Sequence, residues 1–238
     1  MNMRFPDRTR AGQALVEKLS HYANRKDVVV VALPPGGVPV GYEIAKALDA
    51  PLDVLVIRCL GVPENPALVM GAVSADGTHL LNYEVIRWLK IPDATIDAVI
   101  ATESAESRRL DKLYRGDTPP PEVVNKAVIL VDDGISTCSI IRMAVTVLRL
   151  RRTAEIVVAV PIAALSSVLQ YRATVDEFVT CAMPGEFVAA SQWYEDFPKV
   201  PQESVRDLYE RANRSLANVG TPQIKPFNNG LAKQQRSA

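Results

Sequence analysis

The sequence contains little cysteine and no excess of charge of either sign. Its cysteines, Cys59, Cys138 and Cys181, are odd in number, widely spaced and form no Cys-x-x-Cys pair, which argues against a disulfide framework or a zinc site. A reducing, cytoplasmic environment is therefore expected. Lysine plus arginine and aspartate plus glutamate each number 27, so no net field attracts a polyanion, and a nucleic-acid partner is not expected.

The sequence also lacks a long apolar run. No stretch approaches the roughly 18 uninterrupted apolar residues of a membrane span, and residues 1–10 contain charged residues without the apolar core of a signal peptide. We expect neither secretion nor membrane insertion. With 48% apolar residues in 238, the chain can bury a large core. The expected organisation is one domain over residues 1–216 and a polar, disordered tail over residues 217–238.

Strand patterns alternate with helical patterns along most of the chain. Continuous apolar runs predict buried strands, and apolar residues at helical spacing predict the helices between them. The predicted strands are 28–33, 53–58, 127–131, 155–161 and 175–180, and the predicted helices are 9–24, 38–48, 93–115, 137–150 and 163–171. This alternation predicts an α/β fold with a doubly wound, mainly parallel sheet.

Residues 61–121 interrupt the alternation. Gly71–Asn82 is predicted to be a β-hairpin in which Asp76 and Gly77 supply the two positive-φ positions of the turn. The long, charged helix predicted over residues 93–115 is closed by Gly116 and three prolines. We interpret this segment as a hairpin and helical elaboration, or hood, beside the main sheet.

Two of the predicted strands end in unusual loops. The first strand runs into Pro-Pro-Gly-Gly at residues 34–37, and the third runs into Asp132 and Asp133. Ligands of open parallel sheets bind beyond the carboxyl ends of the strands. Adjacent carboxylates can accept hydrogen bonds from a sugar diol or hold hydrated Mg²⁺, and the following helix start suits a phosphate. The loops therefore predict a phosphorylated sugar, unless the aspartates only cap the helix.

Several segments resemble the type I phosphoribosyltransferases, and a bacterial branch of that family in particular. Residues 131–137, Val-Asp-Asp-Gly-Ile-Ser-Thr, resemble its 5-phosphoribosyl-1-pyrophosphate motif. Residues 33–40 resemble its pyrophosphate loop, residues 71–73 its hairpin and residues 192–197 its carboxyl-terminal signature. The resemblance implies transfer of ribosyl 5-phosphate to a nitrogenous acceptor, release of pyrophosphate, Mg²⁺ as cofactor and a homodimer.

The resemblance also implies a role for each loop. Asp132 and Asp133 would hold the ribose, with Mg²⁺ bound nearby through substrate and water. Trp193 and Tyr194 are candidate contacts to the acceptor or parts of a lid, or else packing residues. The implied 5-phosphate residues are Gly134, Ile135, Ser136, Thr137, Cys138, Ser139 and Ile140, and the implied pyrophosphate residues are Pro35, Gly36, Gly37, Val38 and Arg58. No residue is assigned as a general base.

Four positions depart from the family pattern. Pro35 stands where the family usually has arginine, Cys59 where it has lysine, Cys138 where it has glycine and Ile140 where it has threonine. Three lost charge-assisted contacts would cost about 5–9 kcal/mol if additive. Ser136 replaces an aspartate typical of 6-oxopurine enzymes, which argues against hypoxanthine or guanine as the acceptor.

These departures leave three interpretations open. In the first, other cations compensate and the chain is an active transferase; the candidates are Arg58, Arg108, Arg109 and Arg115, unless the last three only form a salt-bridged surface. In the second, the chain is a catalytically degenerate binding or regulatory module. In the third, it is a different phosphate-ester enzyme that uses the same strand ends.

Overall fold

The structure, a computed structural model, describes residues 4–135 and 139–217, and for residues 66, 67, 139 and 215–217 it describes the backbone alone. In chain order the elements are α1 (Arg8–Lys18), β1 (Val28–Ala32), α2 (Gly37–Leu48), β2 (Leu52–Val54), β3 (Ile57–Val62), β4 (Asn65–Ser74), β5 (His79–Leu81), α3 (Tyr83–Leu89), α4 (Asp93–Arg115), β6 (Ala127–Val131), α5 (Ser139–Leu150), β7 (Glu155–Ile162), α6 (Leu165–Tyr171), β8 (Glu177–Ala182) and α7 (Gln202–Ala217). Short 3₁₀ helices lie at Ser20–Tyr22 and Ala190–Trp193.

The main sheet has five parallel strands in the order β2-β1-β6-β7-β8. Side chains of β1 alternate between its two faces, with Val28 and Val30 in one apolar core and Val29 and Val31 in the other. Helices α1, α2 and α7 contribute to the first core and α5 and α6 to the second. Both faces are thus covered, as continuous apolar strands require, and the predicted doubly wound parallel sheet is confirmed.

The hood is a separate antiparallel sheet, ordered β3-β4-β5. It has its own apolar core, in which Leu60, Met70 and Val73 of the strands pack with Ile86 of α3 and Ile96 of α4. The predicted hairpin is present, and α4 spans the predicted residues 93–115. The hood elaboration is therefore confirmed.

Two predictions in this region are wrong. Residues 53–58 do not form one strand, because β2 ends at Val54 and β3 begins at Ile57 in the other sheet. In the hairpin turn Gly77 has a φ of 86° but Asp76 does not have positive φ. Asp76 instead accepts hydrogen bonds from the Ser74 hydroxyl and the Thr78 amide, so its side chain closes a longer turn.

Other differences concern helices. The helix predicted over residues 9–24 ends at Lys18, and α3 and α7 were not among the predicted elements. The start of the helix predicted from residue 137 and the tail from residue 218 onward lie outside the described residues. Within the part of the chain that the structure describes, no helix combines the length and the apolar character that a membrane crossing requires.

Candidate active site

The two unusual loops lie side by side at the carboxyl-terminal end of the strands of the main sheet. Strands β1 and β6 are neighbours, with Ala32 opposite Val131 at their carboxyl ends. Beyond them the amide of Leu33 donates to the oxygen of Val131 over 2.9 Å. The strand order reverses between these two strands, which is the point where open α/β sheets bind ligands.

Two glycines allow the loops to approach each other. A β-carbon added to Gly36 would overlap the carboxylate of Asp133, and one added to Gly37 would lie 2.6 Å from the oxygen of Val131. Gly37 also begins α2, and the peptide bond between Pro34 and Pro35 is cis. The first loop therefore packs its backbone directly against the acidic pair.

The acidic pair is enclosed by protein. The amide of Asp133 donates to Oδ1 of Asp132 over 2.9 Å. Burial raises the pKa of Asp132 well above its usual range, and the negative charge of Asp133 raises it further. Burial also raises the pKa of Asp133, while the Arg8 guanidinium opposes that rise. Two partly buried carboxylates with raised pKa values favour a ligand that brings protons or positive charge, such as a diol or a cation.

Arg8, at the start of α1, pairs with Asp133. Its Nε lies 2.8 Å from Oδ2 of Asp133, and its Nη1 donates to the oxygen of Pro198 over 2.8 Å. The guanidinium also lies 3.7 Å from the ring centroid of Phe197, which adds a cation–π contact. Arg8 is not among the residues predicted from the sequence, because its partner is 125 residues away and nothing in the local pattern marks it.

Tyr194 supports the acidic pair from the carboxyl-terminal side. Its hydroxyl donates to the backbone oxygen of Asp133 over 2.6 Å, and burial raises the pKa of the phenol. Its ring packs against Phe5 and Phe197, at centroid distances of 5.7 and 4.8 Å. Trp193 is half-buried beside the same cluster, and its backbone oxygen accepts from the Phe5 amide over 2.8 Å. Trp193 and Tyr194 both lie in this ring cluster, where Tyr194 is buried, and their role as acceptor or lid contacts stays a prediction.

A cavity of about 420 Å³ opens above these residues, within the range of small-molecule sites. Exposed Lys199 stands at its rim, with Phe197 beside it. The lining includes the Arg8, Asp132 and Asp133 side chains, together with Pro35, Gly36 and Ile140. The predicted acidic pair and first loop thus share one cavity.

The predicted 5-phosphate loop, residues 134–140, is described only at its two ends. The amide of Ile135 donates to the oxygen of Ile162 over 3.0 Å, which ties the loop start to β7. A β-carbon on Gly134 would lie 2.8 Å from that of Ala190. Ser136, Thr137 and Cys138 lie outside the described residues, and Ser139 begins α5. Ile140 reaches the cavity.

Three of the four cations named as compensators have carboxylate partners. Arg58 pairs with Glu103 over 2.8 Å and Arg109 with Glu106 over 2.8 Å, while Arg115 pairs with Asp53. Arg108 is exposed on α4. Among the described residues that line the cavity, the cations are Arg8 and Lys199.

The donor set suits Mg²⁺ held partly by substrate. Within residues 4–135 and 139–217 no group of three or more His, Cys, Asp or Glu side chains is arranged to hold a metal. Mg²⁺ is commonly bound through one or two carboxylates, waters and substrate phosphates rather than by a full protein cage. Asp132 and Asp133 provide that minimal set.

Comparison with known proteins gives consistent results. The model of the phosphoribosyl transferase domain family matches residues 5–196. Two Mycobacterium tuberculosis proteins, from strains CDC 1551 and H37Rv, bear a provisional phosphoribosyl transferase name; each is 39% identical over 217 residues, covering 91% of this chain and 48% of the relative. The chain thus spans about half the length of these curated relatives.

One solved structure is also similar to most of this chain. The crystal structure of TT1426 from Thermus thermophilus is 32% identical, with a TM-score of 0.75. The match covers 88% of this chain and 99% of that one. The similarity therefore extends to the whole of a separately solved chain.

Proposed function

Because this chain belongs to the phosphoribosyl transferase domain family, we propose that it binds 5-phosphoribosyl-1-pyrophosphate with Mg²⁺ and transfers ribosyl 5-phosphate to a nitrogenous acceptor. Pyrophosphate is the second product. The observation that carries the proposal is the partly buried acidic pair, Asp132 and Asp133, against which the Gly36 loop packs in the lining of one cavity. A cytoplasmic homodimer acting in nucleotide metabolism is part of the same proposal.

In this proposal the acidic pair holds the ribose. The 2- and 3-hydroxyls of the ribose donate to the carboxylates, which are partly buried and held by hydrogen bonds before the ligand arrives. Positive charge that develops at the anomeric carbon as pyrophosphate departs is stabilised by these negative groups. Bound Mg²⁺ would neutralise charge on the departing pyrophosphate. The protein mainly orients the two reactants.

The first loop would place pyrophosphate close to the acidic pair. Since Gly36 has no side chain, its backbone lies directly against the Asp133 carboxylate, and the neighbouring Gly37 amide is already bonded to the oxygen of Leu33. Pro35 has no N–H to donate. The loop therefore contributes shape more than hydrogen bonds.

A degenerate binding or regulatory module is the second candidate. It is favoured by the ion pair of Arg8 with Asp133, which occupies one carboxylate oxygen of the acidic pair. Such a module would bind a phosphorylated ribose without turnover.

Calorimetric titration with 5-phosphoribosyl-1-pyrophosphate, with and without Mg²⁺, tests the proposal. We expect micromolar, Mg²⁺-dependent binding, equivalent to about 8 kcal/mol. Asp132→Asn should abolish it, while Asp117→Asn, an exposed residue after α4, should not change it. No binding at millimolar ligand would contradict both candidates.

A pyrophosphate-release screen separates transfer from binding. The wild-type protein is incubated with the ligand, Mg²⁺ and a panel of bases and amines. Acceptor-dependent release supports the transferase, and tight binding without release supports the module. Hydrolysis of another phosphate ester, without release of pyrophosphate, would point to a different enzyme.

A further inference from the structure

The first loop carries no positive charge, but two cations line the cavity beside it. Pro35 supplies neither a cation nor an N–H, and Arg58 is paired with Glu103 over 2.8 Å. The two cations of the described lining, Arg8 and Lys199, come from segments that flank the family's loops in sequence. Both therefore reach the cavity from outside the loops that follow β1 and β6.

Arg8 lies close to the acidic pair and to the first loop at once. Its Nε contacts Oδ2 of Asp133, the same oxygen that a β-carbon on Gly36 would overlap. The oxygen of Pro198 and the ring of Phe197 hold the guanidinium in place. Nε and Nη1 have these partners, and the remaining nitrogen, Nη2, adds two further N–H donors. A fixed, buried guanidinium with spare donors is well suited to bind a phosphate.

Lys199 complements Arg8 from the rim. It follows directly on Pro198, whose backbone oxygen accepts from Arg8. Lys199 is exposed and forms no ion pair with a carboxylate of the described residues. Its ammonium is therefore free to turn toward an anion in the cavity.

We propose that Arg8 and Lys199 bind the diphosphate end of the ligand, in place of the cation that the first loop lacks. This inference rests on the proposed function. Arg8 contacts the phosphate nearer the acidic pair, and Lys199 contacts the phosphate at the cavity mouth. The diphosphate is thus bound by the chain segments before β1 and after β8, while the ribose is bound at the end of β6.

In the opposite role, Arg8 would compete with the ligand by occupying Asp133. Removal of a competing side chain would tighten ligand binding, whereas removal of a ligand contact weakens it. The direction of the change therefore separates the two roles.

The experiment measures binding of three probes by calorimetry: inorganic pyrophosphate, ribose 5-phosphate and 5-phosphoribosyl-1-pyrophosphate with Mg²⁺. The variants are Arg8→Met and Lys199→Gln. Their matched controls are Arg10→Met, exposed on the same helix, and Lys46→Gln, exposed in the last turn of α2, about 14 Å along the helix from its start. Thermal melts establish that each variant folds.

We expect Arg8→Met to weaken the binding of pyrophosphate and of 5-phosphoribosyl-1-pyrophosphate by about tenfold to a hundredfold. Lys199→Gln should weaken the binding of both ligands by about twofold to fivefold. Because Lys199 is exposed, this variant tests the site even if Arg8→Met does not fold. Ribose 5-phosphate should bind Lys199→Gln within about twofold of wild type. In Arg8→Met it should lose less affinity than pyrophosphate does, because Arg8 also holds Asp133 but only the diphosphate loses a direct contact.

Each other outcome is decisive. If both variants bind the diphosphate probes as tightly as wild type, or more tightly, the inference is wrong and the proposed function stands. Equal loss of ribose 5-phosphate and pyrophosphate would assign Arg8 a structural role and overturn its part. If wild type binds pyrophosphate alone and Arg8→Met loses it, the inference holds and the proposed function fails. Binding of none of the probes would overturn both.

Discussion

Tyr194 donates a 2.6 Å hydrogen bond from its hydroxyl to the backbone oxygen of Asp133, 61 residues earlier in the chain. The bond joins the segment after β8 to the loop after β6. Together with the Arg8 contact to Oδ2, it holds Asp133 through both its backbone and its side chain. The position of the acidic pair therefore depends on residues outside its own loop.

Tyr194→Phe should destabilise the protein and weaken ligand binding. The variant leaves the Asp133 oxygen without its donor, at a cost of about 1–3 kcal/mol. Urea unfolding measures the stability change, and calorimetry measures binding. Tyr83→Phe, at a side chain that is 62% exposed, is the control and should change neither. An unchanged midpoint for Tyr194→Phe would show that the bond contributes nothing to stability.

The Asp53–Arg115 ion pair should behave as one unit. Arg115, which also contacts Asp111 over 2.9 Å, joins the end of α4 to β2, and both members of the pair are buried. Asp53→Asn or Arg115→Met should each cost about 3–5 kcal/mol, because one buried group loses its counter-charge. The double variant should cost less than the sum of the two.

A surface pair on the same helix provides the contrast. Arg109→Met removes the exposed partner of Glu106 and should leave the unfolding midpoint unchanged, since exposed pairs contribute little. Additive losses at Asp53 and Arg115 would contradict the expected coupling.

Gly36→Ala should abolish ligand binding with a smaller effect on folding. The added methyl group would displace the Asp133 carboxylate, and the acidic pair would lose its orientation. The control is Gly185→Ala, where a β-carbon meets nothing within 4 Å. Wild-type affinity in Gly36→Ala would mean that Asp133 can move without loss of the site.

Asp132→Asn should remove a pH dependence of stability. Burial raises the pKa of Asp132 in the folded state, whereas the unfolded value is about 3.9. The folded state therefore holds the proton more tightly, and this stability is complete below about pH 4 and is lost as pH rises through the folded-state pKa. Relative to Asp132→Asn, wild type should melt at progressively lower temperature as pH increases. Asp117→Asn, at an exposed residue, is melted over the same pH range as the control substitution.

The sequence predicted the sheet well because its signals are local. Uninterrupted apolar residues mark β1 and β6, and charge with helical spacing marks α4 up to Gly116. The break between β2 and β3 was missed, because Leu55 and Val56 are as apolar as the strands they join and periodicity does not reveal a change of sheet. The sequence of α7 does contain a helical pattern that was overlooked, since buried Val205, Tyr209 and Ala212 recur at helical spacing.

The candidate site was predictable only where it is continuous in sequence. The structure brings Asp132, Asp133 and the glycines of the first loop together at one sheet edge. Arg8 and Lys199 belong to segments whose local patterns carry no strand-end signal, and only the folded chain places them in the same cavity as Asp133. Long-range contacts of this kind have no counterpart in propensity or spacing.

A parallel bridge joins Phe5 to Tyr194, and we therefore expect the residues of these two distant segments to vary together in evolution. Phe5 and Arg8 meet Tyr194 and Phe197 in one layer of rings and guanidinium, so a change in size on one side must be matched on the other. Among relatives, positions 5 and 8 should covary with positions 194 and 197. A shuffled chimera that takes its first ten residues from one relative and the rest from another should therefore lose its site before it loses its fold.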